Sequence, residues 1–378
     1  MQPSPSPLPA CPVIDTPWGA CNIDKNGPGP PGTDCLPKGR RDVKAAMWEI
    51  ETYDYHTAGE PFRIVPELPF AIEGDTVRER RDHATAGDAN RIRRLLVNEP
   101  RGHADMYGGF IVPPNDPGAH LGVLFWHKDG FSTACGHGTI ALGAWAVESG
   151  LVPAPDDGDT DVLIDVPSGR VTARVTTVAG RVDTVTFLNV PSAVMARGIT
   201  VDTPGFGTLT VDVLWGGALY ASLTAEAAGL EVAPSCLVRL IEAGRQIKAA
   251  LAGHPAARHP GEPRLDGIYG TIFHEAMDPV DGNLAQRNVT IFADGQVDRS
   301  PCGSGTAARV AGLDDSGELA DGAVLEHFSI VDSHFAARVA SREESGVVVG
   351  VRGTAFEVAR CSFTLDARDT LGLGFVLR

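Results

Sequence analysis

The sequence has few basic residues, no long apolar run and no closely spaced cysteine pair, and each shortage excludes a class of protein. Lys and Arg number 32 against 48 Asp and Glu, which leaves a formal net charge of −16 over 378 residues. A nucleic-acid-binding surface needs a concentrated basic face, so we expect no nucleic-acid partner. No apolar stretch approaches the ~20 residues that cross a bilayer, so we expect no membrane partner. Without a Cys-x-x-Cys pair, dithiol redox chemistry is excluded as well.

The first 46 residues differ in composition from the rest. Proline and glycine are dense there, and three of the seven cysteines (Cys11, Cys21 and Cys35) lie in this segment. It has no basic start and no apolar core of signal-peptide length, so we do not interpret it as a secretory leader. We predict an arm over residues 1–46, disordered or ordered only by contacts. An odd number of cysteines without a leader predicts reduced thiols and a cytoplasmic protein, and a disulfide or metal clip within the arm is the alternative.

Short strands dominate the remaining sequence. Apolar and polar residues alternate over 170–190, interrupted by Ala179-Gly180, and again over 346–365, which predicts antiparallel hairpins. The segment 234–251 has the apolar spacing of a surface helix. The run that follows Cys135 is apolar on almost every side and stops at Gly150, so we expect a helix buried all round. A buried helix among many strands predicts an α/β (α+β) protein in which a curved sheet surrounds a central helix.

One short motif occurs twice. Cys-Gly-x-Gly-Thr begins at Cys135 and again at Cys302, each time before a largely apolar run, and the spacing is nearly half the chain. We therefore predict two pseudo-symmetric domains, each with one central helix. We place the first at 47–195, with strands of about 355–378 returning to it, and the second at 196–354.

The repeated motif also indicates chemistry. A cysteine at a helix N-terminus faces unpaired backbone N–H groups and the positive end of the helix dipole, which favours thiolate over thiol. The glycines allow a ligand to approach those N–H groups closely. Two such sites facing each other would hold one carboxylate with a sulfur on each side of the neighbouring carbon, as a two-base racemase requires. Zinc at Cys135 and His137 lacks further ligands at known spacings, so we expect no metal, and we interpret Cys236 and Cys361 as structural.

Five stretches of the chain, 56–65, 99–109, 120–143, 201–221 and 287–311, carry a resemblance to a known family. They include "HTAGEPFRIV", "ACGHGTIALG" and "DRSPCGSGTAARVA", and they resemble the proline racemase superfamily from about residue 48 to the C-terminus. The resemblance implies a diaminopimelate epimerase-like fold, an active site in the cleft between two domains, and no cofactor.

The resemblance also assigns roles to individual residues. Cys135 and Cys302 would be the acid/base pair, and Asp298 would accept a hydrogen bond from the ring ammonium of the substrate. The remaining candidates would hold the carboxylate by backbone amides (Gly136, His137, Gly303 and Ser304) or form aromatic walls (Tyr107 and Phe292). From the residues alone, Asp298 would be a turn residue, His137 a helix-start residue, and both aromatic residues part of the core.

Within this family, the sequence favours stereochemical inversion. Cys302 stands where the commoner dehydratases carry Thr, so we expect a racemase or epimerase acting at Cα of proline or hydroxyproline, with 4-hydroxyproline 2-epimerase as the main prediction. Tyr107 and Ala218 are similar to the dehydratase branch, which makes trans-3-hydroxy-L-proline dehydratase the alternative. A non-catalytic proline-binding paralogue is a third reading. The partner we predict is a small molecule, and a homodimer is the assembly we consider.

Overall fold

The alternating pattern of the sequence folds as strands along most of the chain. The computed structural model describes residues 48–377, so the predicted arm and its three cysteines lie outside the described residues. The strands are β1 (Trp48–Thr57), β2 (Glu60–Val65), β3 (Gly108–Val112), β4 (Leu121–His127), β5 (Gly130–Phe131), β6 (Gly158–Val166), β7 (Gly169–Val178), β8 (Arg181–Leu188), β9 (Ala193–Thr203), β10 (Gly207–Trp215), β11 (Leu219–Thr224), β12 (Ile268–Val280), β13 (Asn283–Phe292), β14 (Gln296–Val297), β15 (Leu325–Phe328), β16 (His334–Glu343), β17 (Gly346–Gly353) and β18 (Ala355–Leu365).

Helices are few in comparison. The α-helices are α1 (Val77–Ala84), α2 (Gly87–Val97), α3 (Gly136–Glu148), α4 (Leu237–Ala250) and α5 (Gly303–Ser316), and short 3-10 helices lie at Glu226–Ala228, Pro234–Cys236, Pro255–Ala257 and Pro263–Leu265. No helix within residues 48–377 has the length and apolar character needed to cross a membrane.

The predicted hairpin at 170–190 has the expected turn. Ala179 and Gly180 both have positive φ, 49° and 74°, as a two-residue type I′ turn between twisted antiparallel strands requires. β7 and β8 pair on either side of it, from Val178 opposite Arg181 outward. The local sequence therefore determines this hairpin.

The strands form one continuous sheet whose two ends repeat the same order. At the middle, β8 pairs antiparallel with β17. Outward from β8 run β7, β6, β4, β3, β2, β1 and β18; outward from β17 run β16, β15, β13, β12, β11, β10 and β9. In both directions the pairings are antiparallel, antiparallel, parallel, antiparallel, parallel, antiparallel and antiparallel. This repeat confirms the two-fold architecture that the duplicated motif predicts.

Each half surrounds one helix. α3 packs against β1, β2, β6, β7, β8 and β18, whereas α5 packs against β9, β10, β11, β16 and β17. Residues 136–146 of α3 and 303–313 of α5 are buried without interruption, as the apolar run after Cys135 predicts. Fully burying a side chain such as Leu142 stabilises the fold by roughly 1.5–3 kcal/mol, which favours a central position for these helices. β18 pairs with β1, and the domain limits given above stay a prediction.

Candidate active site

The two repeated motifs meet at the N-termini of α3 and α5. A Cβ added to Gly136 would lie 2.5 Å from Cα of Gly303, and a Cβ added to Gly303 would lie 2.6 Å from Cα of Gly136. Such distances are too short for carbon atoms in contact. Both motifs therefore need glycine after the cysteine because the two backbones approach each other here.

A pocket lies at this junction. Its walls include all the predicted site residues except Gly303, which contacts Gly136 directly; the lining residues are Tyr107, Ala134, Cys135, Gly136, His137, Tyr220, Tyr269, Phe292, Asp298, Cys302 and Ser304. The structure thus brings together residues from both halves of the chain. In the described part of the chain, no group of His, Cys, Asp and Glu is arranged to hold a metal ion.

Sequence reasoning missed two tyrosines of this pocket. Tyr220 is on β11 and Tyr269 on β12, and both line the cavity. A strand pattern separates the two faces of a strand but does not tell a pocket from a core, because both are buried. The resemblance covered Tyr220 in "GGALYA" without singling it out.

Cys135 is the N-cap residue of α3. Its backbone is extended, with φ −157°, and its Sγ accepts a hydrogen bond from the backbone N–H of Gly138 at 3.2 Å. The ring nitrogens of His137 lie 3.5 and 3.6 Å from the same sulfur. Burial lowers the pKa of His137 to about 3, so its imidazole is neutral at physiological pH and adds no full charge beside the thiol.

Cys302 caps α5 in a different conformation. Its φ is +64°, a region that residues with a side chain rarely adopt, and such strain costs about 1–3 kcal/mol. Its backbone N–H donates to Oγ of Ser300 at 3.1 Å. The hydroxyl of Tyr220 lies 3.9 Å from its sulfur. A strained backbone at this position is typical of a functional site, where the surroundings hold the residue in place.

Burial raises the pKa of both thiols. For Cys135 the Gly138 N–H opposes this effect; for Cys302 the charge of Asp298 adds to it. The sequence argument, in which the helix N-terminus favours thiolate, was therefore wrong about the net direction. The helix dipole lowers a thiol pKa, but removal of the sulfur from water outweighs that effect here.

Asp298 supplies a carboxylate to the pocket. Its Oδ1 accepts hydrogen bonds from the backbone N–H of Ser300 at 2.9 Å and from the Ser300 hydroxyl at 2.7 Å. Burial raises the pKa of Asp298 to about 6, so it is largely ionised at pH 7. Asp298 is both a turn residue and a pocket residue, because its Oδ1 closes a turn with Ser300 while its carboxylate lines the cavity.

Aromatic and hydroxyl groups form the remaining wall. The rings of Tyr107 and Tyr269 lie 5.8 and 5.7 Å from that of Phe292, centroid to centroid. The Tyr107 hydroxyl bonds to that of Tyr269 at 2.9 Å and also to Oγ of Ser132. Burial raises the pKa of Tyr107, so the phenol keeps its proton. Two hydroxyl groups of the pocket wall, those of Tyr107 and Tyr269, are therefore connected to each other and to Ser132, which does not line the pocket. We call these three groups the hydroxyl cluster (Tyr107, Ser132 and Tyr269).

This arrangement can bind a small amino acid and move a proton at its α-carbon. The backbone N–H groups that open α3 and α5 have no partner within their helices and can bind a carboxylate. Asp298 can accept a hydrogen bond from an ammonium group beside it. Two thiols in the same pocket can act as acid and base.

Comparison with known proteins identifies the family that the chain resembles. The proline racemase family profile matches residues 52–376. Over 333 residues the chain is 43% identical to a 3-hydroxyproline 2-epimerase from Burkholderia multivorans and 42% identical to a trans-3-hydroxy-L-proline dehydratase from Burkholderia cenocepacia, in each case covering 87% of this chain and 98% of the relative. A trans-L-3-hydroxyproline dehydratase from Xenopus tropicalis is 38% identical, covering 87% of this chain and 95% of the relative. These names belong to isomerases and hydro-lyases, the two enzyme classes that the sequence predicts.

Solved structures give the same result for the fold. A hydroxyproline epimerase from Agrobacterium vitis with bound trans-4-OH-L-proline superposes with a TM-score of 0.81 at 29% identity, covering 87% of this chain and 95% of the other. A probable proline racemase from Agrobacterium radiobacter K84 with bound carbonate also gives 0.81, at 28% identity and with 87% and 96% coverage. A PhzF-family protein from Bacillus anthracis, at 12% identity and a TM-score of 0.53, shares the fold alone over 84% of this chain and all of the other.

Proposed function

The chain belongs to the proline racemase family, and from that premise we propose that it removes and replaces the C2 proton of 3-hydroxyproline. One observation supports this proposal most strongly. Cys135 and Cys302, both buried and each at the N-terminus of a central helix, line one pocket together with Asp298.

The pocket suggests how the reaction proceeds. The substrate carboxylate binds the backbone N–H groups at the starts of α3 and α5, and its ring ammonium donates to Asp298. C2 then lies between the two sulfurs. One cysteine, as thiolate, takes the C2 proton, and the other, as thiol, delivers its own proton to the opposite face. The same N–H groups stabilise the negative charge that develops on the carboxylate in between.

The hydroxyl cluster supports a hydroxylated ring. Tyr107 and Tyr269 place hydroxyl groups on the wall of the pocket, where they can form hydrogen bonds with a hydroxyl of the substrate ring. The sequence predicts 4-hydroxyproline as the substrate. We now favour 3-hydroxyproline, because relatives of 38–43% identity are named for that compound, whereas the epimerase solved with trans-4-OH-L-proline is 29% identical.

For the outcome at C2 we favour epimerisation. A second thiol opposite the first has a direct use in inversion, since it is the proton donor to the other face. The relative from Burkholderia multivorans carries the name of such an epimerase.

Dehydration of trans-3-hydroxy-L-proline is the second candidate. The names of the relatives from Burkholderia cenocepacia and Xenopus tropicalis support this alternative better than the main prediction from the sequence, 4-hydroxyproline 2-epimerase. It begins with the same proton removal. The C2 electron pair then forms a double bond to C3 and expels the hydroxyl, which leaves as water after taking a proton, and the enamine product tautomerises to a pyrroline carboxylate. The protonated hydroxyl cluster can donate a hydrogen bond to the departing group.

Proton NMR in deuterated buffer separates these outcomes. Purified protein is incubated with trans-3-hydroxy-L-proline, trans-4-hydroxy-L-proline and L-proline in separate tubes, with a Cys135→Ala protein prepared in parallel as the control. We expect the C2 proton of the 3-hydroxy compound to disappear while its C2 epimer accumulates. Formation of a pyrroline carboxylate in that tube would show that the reaction is dehydration and not epimerisation. Turnover confined to the other two compounds would reject the proposed substrate.

A further inference from the structure

A fully buried carboxyl group lies behind the pocket and has no role in the reaction described above. Glu60 begins β2, directly after the turn at Ala58 and Gly59, and its side chain has 0% exposure. Its Oε2 accepts the backbone N–H of Arg299 at 2.7 Å. Its Oε1 has no hydrogen-bond partner among residues 48–377. An ionised carboxylate with one free oxygen in such a place is costly.

The charged groups that face Glu60 do not neutralise it. They are Asp298, Arg299 and Asp105. The Arg299 guanidinium is bound to Asp105 at 2.8 Å and to the carbonyl of Val297 at 2.7 Å. The Arg299 guanidinium is therefore shared by three carboxyl groups, those of Asp105, Glu60 and Asp298, and the ammonium of the substrate would add one more positive charge. Two neighbouring carboxyl groups in a buried site do not both ionise easily.

We propose that Glu60 is a positioning residue that works in its neutral, protonated form: it holds the 298–302 segment against the first half of the molecule and leaves the negative charge of this wall to Asp298. The hydrogen bond from Arg299 N–H to Glu60 joins the two halves one residue away from Asp298 and three from Cys302. This inference rests on the proposed function, because it gives Asp298 the task of binding the ammonium.

The electrostatic setting agrees with the geometry. Burial raises the pKa of Glu60 well above its usual value, and the charge of Asp298 raises it further. A charge on Glu60 would in turn raise the pKa of the Cys135 thiol. In its protonated form Glu60 therefore does not hinder formation of the Cys135 thiolate, whereas its ionised form opposes it.

The test is Glu60→Gln, a neutral side chain of the same shape that keeps an acceptor for Arg299. The rate at which iodoacetamide alkylates Cys135, followed in the peptide that contains this residue, is measured against pH without substrate. The pH dependence of kcat/KM is measured as well. We expect the same alkylation rate as in the wild type at neutral pH, where the proposal has Glu60 protonated, and a faster rate at alkaline pH, where ionised Glu60 in the wild type opposes thiolate formation. Turnover at neutral pH should fall by less than about tenfold. Glu51→Gln, at an exposed position on β1, is the matched control and should shift neither profile.

Two results would overturn the inference. One is faster alkylation of Glu60→Gln already at neutral pH, which would mean that Glu60 is ionised there; the other is a folded Glu60→Gln protein whose turnover at neutral pH falls more than a hundredfold, because the ionised carboxylate would then be required. Alkylation needs no substrate, so it tests the role proposed for Glu60 even if the proposed substrate is wrong. Should Glu60→Gln not fold, infrared difference spectra of the wild-type protein near pH 8 decide the matter. Asp298 is ionised there, and a protonated carboxyl band supports the inference while its absence rejects it.

Discussion

The two cysteine motifs have the same sequence pattern and the same place in their halves, yet they present different surroundings to the pocket. Cys135 has an extended backbone, accepts an N–H from Gly138 and lies beside the neutral imidazole of His137. Cys302 has a positive φ and lies near the carboxylate of Asp298. Duplication of the motif thus places two thiols around one centre. The charge of Asp298 raises the pKa of both thiols, whereas the neutral imidazole of His137 lies beside Cys135.

The difference matches the substrate proposed for the site. A proline derivative carries a carboxylate that two helix N-termini can share and an ammonium that lies on one side of C2. A symmetric pocket would offer a second carboxylate with nothing to bind, and a buried unpaired charge is costly. In the proposed reaction, Asp298 on one side of the pocket would orient the ring, while the two thiols would serve the two faces of C2.

The largest effect that we predict is the loss of activity when either active-site thiol is removed. Cys135→Ala and Cys302→Ala should each lower epimerisation about a thousandfold or more, since each removes a positioned acid or base. NMR in deuterated buffer should still detect slow exchange of the C2 proton without inversion, for one epimer in one variant and for the opposite epimer in the other.

A matched control for this pair is Cys361→Ala, on β18 and outside the pocket, which should keep wild-type activity. If both active-site variants exchange the same epimer, a single cysteine acts as base for both directions, and the two-sided mechanism is wrong.

A smaller effect tests the close approach of the two helices. Gly136→Ala and Gly303→Ala each place a Cβ 2.5–2.6 Å from the backbone of the facing motif. We expect both variants to lose about a hundredfold in kcat/KM, because a displacement of the reacting groups by about 1 Å has that cost, and to melt at a lower temperature by circular dichroism.

Gly261→Ala is the control, because nothing lies within 4 Å of its added Cβ and its backbone is not in the positive-φ region. Equal sensitivity at the two motif glycines would extend the symmetry of the fold to the catalytic centre. Tolerance of alanine at one of them alone would show that only one helix terminus has to approach the other.

The smallest effect concerns the asymmetric charge. The pKa of Asp298 is raised to about 6, so its carboxylate is lost as the pH falls through that value, and kcat/KM should decrease with it. Asp298→Asn should remove this acid limb and lower kcat/KM at pH 7 by between about tenfold and a hundredfold, the usual value of a hydrogen bond to a charged group.

His137→Asn provides the contrast, because the imidazole, with a pKa of about 3, does not titrate near neutrality. Its pH profile of kcat/KM should keep the acid limb near pH 6. An acid limb that persists in Asp298→Asn and disappears in His137→Asn would reverse the assignment of the two groups.

Much of the site could be predicted from the sequence, because its residues lie within or beside a repeated motif. Cys135, His137, Cys302 and Ser304 are brought to the pocket by the start of a helix, which is a local feature. Tyr220, Tyr269 and Glu60 could not be found in this way. Their positions depend on which face of a strand meets the other half, and the alternation of apolar and polar residues identifies a buried face without saying what it borders.

By itself, the sequence determined the hairpins, the two central helices and the duplication, because alternation, apolar runs and glycine turns act over a few residues. Only the tertiary structure decided the protonation of the thiols, the contact between Gly136 and Gly303, and the hydroxyl cluster. The physical reason is that loss of water around a sulfur or a carboxyl group depends on atoms contributed by both halves of the chain. A helix terminus lowers the pKa of a thiol, and burial between the halves raises it.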